Sequence, residues 1–160
     1  METVSAQAIS TEKSNGWRAI LWGGLIAGAL DLTAAFVTNY WINPVRIMQS
    51  IASGLLGADS YTGGAATAAL GVFLHFVIAF GATVVFYLAS RKFNFLVRQA
   101  VVSGLLYGAA VYWFMELVVL PLSAFTGKNR FAPEQIIKGL IVHMLCVGLP
   151  IALAVRRYSK

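Results

Sequence analysis

Four apolar runs, each long enough to cross a lipid bilayer, constrain this chain more than any other feature. They fall at about residues 17–41, 66–90, 96–122 and 133–158. Each is near or above the roughly 20 residues that span a hydrocarbon core as a helix. That core offers the backbone no hydrogen-bonding partners, and an α-helix satisfies every peptide group within its own segment. The composition agrees: 59% hydrophobic and 11% charged over 160 residues, against roughly 45–50% and 25% in soluble domains. The fold class read from this is all-α, a polytopic membrane protein with four transmembrane helices in one domain, residues 17–158. Residues 1–16 are polar, lack periodicity and read as a flexible tail. Disorder, coiled coil and a disulfide-rich secreted fold are excluded, and a net charge of +6 without an aromatic-interleaved basic stripe gives no case for nucleic acid.

The basic residues predict the orientation. Lys13, Arg18, Arg91, Lys92, Arg98, Arg156, Arg157 and Lys160 fall on the side of the termini, and Arg46, Lys128, Arg130 and Lys138 on the other. This bias places both termini in the cytoplasm. Trp17, Trp22, Tyr40, Trp41 and Tyr158 stand near span ends, as interfacial aromatic residues do. The first run is too long for a signal peptide, contains Asp31 and leads to no small-residue cleavage site, so it reads as a retained helix.

The loop after the first span carries its own helix signal. Asn43 followed by Pro44 is an N-cap and a proline at the first helical position. Ile47, Ile51 and Leu55 recur at helical spacing and Gly57 supplies the stop. These predict a short interfacial helix, followed by a turn at Thr62-Gly63-Gly64 back into the membrane. Pro133 is expected to open the fourth helix.

The two halves of the chain resemble one another. Gly24-Leu25-Ile26-Ala27-Gly28-Ala29 parallels Gly104-Leu105-Leu106-Tyr107-Gly108-Ala109, and Gly71-Val72-Phe73-Leu74-His75 parallels Gly139-Leu140-Ile141-Val142-His143. The order and membrane positions match, which predicts a two-plus-two parallel internal repeat about a pseudo-two-fold axis along the membrane normal. Within it, Gly24/Gly28 and Gly104/Gly108 are small-residue pairs four apart, expected to let helices pack closely.

Ionisable residues at membrane depth are the functional candidates, because a charge there must be neutralised, paired or hydrated. Asp31 lies about 15 Å from the end of its span by the helical rise. His75 and His143, at repeat-equivalent positions, lie at a similar depth. Glu116 shares a helix face with Tyr112 and stands among Trp113 and Met115, with Arg46 or Lys138 as possible basic partners. These four residues form the expected intramembrane polar site. As neutral groups they need only hydrogen bonds to neighbouring helices. As a set they are suited to handling protons or a small solute, and the histidine pair has the chemistry of axial ligands to haem b. Cys146, in an apolar run, reads as a small buried hydrophobe. Pro150 removes the hydrogen bond to the Cys146 carbonyl and should kink the fourth helix beside His143.

From about Gly71 to Arg157 the chain resembles the YagU-like family of small bacterial inner-membrane proteins. The resemblance rests on Leu74-His75-Phe76, Gly104 through Ala109, Pro121-Leu122, and Gly139 through His143 ahead of Arg156-Arg157, with Gly24 through Gly28 added from the first span. It implies a multi-pass protein of the bacterial inner membrane and no defined activity, and it transfers no catalytic residue. The family's longer outer loops are missing here.

The leading expectation is therefore a non-enzymatic membrane protein with a polar intramembrane site. The alternatives are a bis-histidine cytochrome and a structural or lipid-binding subunit, as a homo-oligomer or in a larger membrane complex. No catalytic nucleophile or metal-ligand spacing points to an enzyme.

Overall fold

The computed structural model describes the backbone of residues 2–125, 127 and 131–158, with side chains from residue 15 onward. Lys13, Lys128, Arg130 and Lys160 lie outside the described side chains. Among the described residues all regular structure is helical: α1 (Glu2–Thr38), α2 (Pro44–Leu56), α3 (Gly64–Lys92), the short α4 (Phe95–Arg98), α5 (Ala100–Leu122) and α6 (Pro133–Tyr158). Four of them, α1, α3, α5 and α6, are long and apolar enough to cross a membrane. The chain is a multi-pass membrane protein by this pattern.

The side chains are distributed for lipid. Phe73 is 64% and Leu106 66% exposed, whereas Thr83 and Ser53 are fully buried. Large apolar groups face outward, and small or weakly polar groups hold the helices together, as expected where burying hydrocarbon brings no advantage over lipid.

Three boundaries differ from the sequence expectation. α1 runs back to Glu2, so residues 2–16, expected as a tail, continue the span as helix. Ala6, Gln7, Ala8, Glu12 and Lys13 are good helix formers, and propagation from an existing helix is far easier than nucleation. α1 stops at Thr38 rather than Trp41, where Thr38 Oγ1 donates to the Ala34 carbonyl (2.7 Å) and Asn39 Nδ2 to that of Ala35 (2.9 Å). Residues 96–99 belong to α4 and its exit, because Gln99 leaves helical geometry (φ −109°, ψ 48°) before α5 begins.

α1 packs against α3 and α6, and α6 against α5. Gly24 and Gly28 receive the rings of Phe80 and Phe76 from α3. Gly104 and Gly108 meet the backbone of α6 at His143, Met144 and Gly148, so those two helices approach to main-chain contact. α3 and α5 stay apart and are bridged by side chains. Tyr107 hydroxyl donates to the Ala82 carbonyl at 2.6 Å, and its ring lies 5.0 Å from that of Phe86.

The apolar core lies in the half of the bundle nearer the termini. Ala19, Phe86, Ala100, Ile151, Ala152 and Val155 are buried together there. At the opposite, loop-side end, α2 folds back onto α3. Asn43 Oδ1 accepts from the Val45 N–H at 2.8 Å and Gly57 ends the helix at φ +61°. At Gly71 the α3 backbone admits the Met48 carbonyl of α2 so closely that no Cβ fits. Gln49 Nε2 donates to the Gly64 carbonyl at 3.1 Å.

Two wide turns, Met115–Val119 in α5 and His143–Gly148 in α6, each precede a proline, Pro121 and Pro150. The Leu120 N–H reaches back to Met115 and the Leu149 N–H to Met144. Widening the turn moves the carbonyl that a proline ring would strike. The distortion expected from Pro150 is thus a local bulge over the segment that begins at His143.

Candidate functional site

Because α3 and α5 separate above the Tyr107 bridge, the loop-side half of the bundle holds a partly open cavity of about 470 Å³. Its walls are mainly aliphatic: Ala27, Leu74, Ile78, Ala79, Val111, Met115 and Val147 among others. Asp31 from α1, His75 from α3 and His143 from α6 line it together. Glu116 does not. Its neighbours Met115 and Val119 face the cavity from the same wide turn, while its own Oε2 is buried elsewhere. The two bases considered for Glu116 have other company. Arg46 lies over the Tyr61 ring, and Lys138 donates to Asn39 Oδ1 at 3.4 Å with Trp41 beside it.

The histidines are held differently in the two halves. His75 Nε2 donates to the Gly28 carbonyl at 2.9 Å and stands 4.0 Å from Asp31 Oδ2. Gly28 therefore does two things: it admits Phe76 where a side chain would stand, and it offers its carbonyl to His75. His143 Nδ1 donates instead to the Gly139 carbonyl of its own helix at 2.9 Å, with the Tyr112 ring edge-on at 5.4 Å. Both side chains are largely but not fully enclosed; Asp31 is 20% and His75 14% exposed.

A haem held by both histidines needs a nitrogen lone pair from each, directed across the bundle. His75 commits Nε2, as a donor, to α1. Among the described residues no group of three or more metal-ligating side chains gathers. Outside these hydrogen bonds each histidine keeps one ring nitrogen, Nδ1 of His75 and Nε2 of His143.

Several features of the cavity were not read from sequence. Ser50 and the roof formed by α2, the closing residues Ser123 and Phe125, and the Tyr107 floor all come from the packing. One further signal was available: Gly148 and Ala152, four apart in α6, oppose Gly104 and Gly108 as a second small-residue pair. Cys146 is partly buried and does not line the cavity.

No family model matches the chain, and neither the curated proteins nor the solved structures compared with it include a significant match.

Proposed function

We propose that the chain is a small bacterial inner-membrane protein, termini cytoplasmic, whose cavity handles a proton or a small solute through Asp31, His75 and His143. One observation carries this reading: three ionisable side chains from three different helices line a single, partly open cavity. Such residues at membrane depth carry a desolvation penalty and are retained where they serve a pathway or a binding site. α2 belongs to the reading as a loop-side interfacial helix, with Ile47 buried and Leu55 at the exposed edge of the cavity.

The two-plus-two repeat is part of the same proposal. It would pair Gly28 and His75, which are hydrogen-bonded, with Gly108 and His143, which are in backbone contact. It would also pair the close α1–α6 contact with the parted α3–α5 pair. The cavity then occupies the place where the second half departs from the first.

The test is proton flux into liposomes holding the purified protein and a trapped pH dye, driven by a potassium diffusion potential. The wild type should acidify the lumen faster than protein-free vesicles, and Asp31→Asn should return the rate to that baseline. Equal rates for the wild type, Asp31→Asn and empty vesicles would remove the proton reading.

A further inference from the structure

The polar groups of the cavity share a property that names the ligand they suit. Every side-chain hydrogen they own is committed to a backbone carbonyl. His75 Nε2–H donates to Gly28 and His143 Nδ1–H to Gly139, each at 2.9 Å. Ser50 Oγ donates to the Ile47 carbonyl at 2.7 Å and Ser123 Oγ to that of Leu120 at 2.8 Å. The backbone donors of the roof are engaged as well: the Ala124 N–H binds the Gly54 carbonyl at 2.9 Å and the Phe125 N–H binds Ser123 Oγ at 3.2 Å. What remains as acceptor positions are the Asp31 oxygens, the ring nitrogen of each histidine that faces away from its backbone partner, and Ser50 Oγ. An acceptor-only cluster in an apolar cavity lacks donors, and the missing partner is the ligand's.

The access route agrees with a lipophilic body. Toward the termini the cavity ends at Ala82, whose carbonyl accepts from the Tyr107 hydroxyl beside Phe86. On the loop side α2 covers the cavity, hooked to residues 123–125 through Gly54, with Leu55 at its exposed edge. The seam between α3 and α5 is open as well, where Ile78 lines the cavity yet is 39% exposed on the outer surface. That seam lies between two helices apolar enough to cross a membrane.

Resting on the reading of the cavity as a solute site, we infer that it takes a membrane-dissolved amine. An apolar body enters between α3 and α5, and its ammonium head donates hydrogen bonds to Asp31 and His143. The carboxylate supplies the countercharge, and the aliphatic walls supply the rest of the contact.

The test uses the full chain in nanodiscs and measures equilibrium binding of radiolabelled decylammonium, corrected with empty discs. Decyltrimethylammonium serves as a competitor of equal charge and chain without N–H groups. One saturable decylammonium site is expected, with the trimethyl analogue about tenfold weaker or more, the scale of a lost charge-assisted hydrogen bond. Asp31→Asn should weaken binding by a similar factor. Val111→Phe, which fills the seam and leaves the polar groups intact, should abolish it in a protein that elutes like the wild type. Equal affinity for the two cations, or binding unchanged in both variants, overturns the inference. If decylammonium does not bind while Asp31-dependent proton flux persists, the ligand class is wrong and the solute-site reading survives. If binding and flux are both absent, both fall.

Discussion

His75 Nε2 stands 2.9 Å from the Gly28 carbonyl and 4.0 Å from the Asp31 carboxylate, so one imidazole proton ties α3 to α1 directly beside an acid. Glycine at 28 makes this possible, because the α1 surface is bare enough there for Phe76 and His75 to approach its backbone. At 4.0 Å the Asp31–His75 contact is too long for a strong hydrogen bond.

His75→Gln is expected to keep an amide donor near Gly28 and lose little stability, whereas His75→Phe should lose about 1 kcal/mol. Asp31→Asn should leave thermal unfolding in detergent close to wild type while removing the flux. The coupling between Asp31→Asn and His75→Gln in a double-mutant cycle should stay below about 1 kcal/mol. A coupling of several kcal/mol would mean that the two form a tight ion pair in the folded protein.

Gly148→Val should be among the most damaging single substitutions. A Cβ there overlaps the Gly104 carbonyl and the backbone of Gly108, and main-chain atoms do not yield as flexible side chains do. The expected loss is about 1–3 kcal/mol or more, read as a lower unfolding temperature. Gly81→Ala is the matched control: nothing lies near its Cβ position, and alanine is favoured over glycine within a helix by up to about 1 kcal/mol. It should be neutral or stabilising.

Tyr107→Phe removes the hydroxyl that reaches the Ala82 carbonyl at 2.6 Å and keeps the ring against Phe86. About 0.5–1.5 kcal/mol of stability should be lost. Because this contact stands at the terminal end of the cavity, a cysteine placed at Ala79 should become reactive to a water-soluble maleimide from the terminal side in Tyr107→Phe and stay protected with Tyr107 present. Equal labelling in both backgrounds would show that the floor lies elsewhere.

Asn43→Ala removes the cap on the Val45 N–H and should weaken α2 by about 1 kcal/mol. The effect should be local: amide exchange should accelerate at Val45 to Ile47 without a comparable change in the core around Phe86 and Ile151. Uniform acceleration would mean that α2 and the bundle unfold as one unit.

The elements were legible where local chemistry defines them. Asn43, Pro44 and Gly57 bound α2 in the sequence and do so in the structure, because a cap, a fixed proline φ and a positive φ are properties of single residues. The burial of α2 against α3 was not legible. Gly71 was read as a repeat marker, and its role as the point where the Met48 carbonyl enters α3 depends on a helix distant in sequence. The four ionisable residues were visible as exceptions in apolar runs. Only three of them share a cavity, since the wide turn ahead of Pro121 sets which way Glu116 and Met115 face.

By itself the sequence determined four helices long and apolar enough to cross a membrane and the position of each polar group along them, because hydropathy and a constant rise per residue act along one chain. Tertiary structure decided which faces meet. Helix rotation and separation are set by interlocking shapes, phenylalanine against Gly24 and Gly28 on one side and glycine against glycine on the other. That difference in shape parts α3 from α5, and the space between them is where Asp31, His75 and His143 come together.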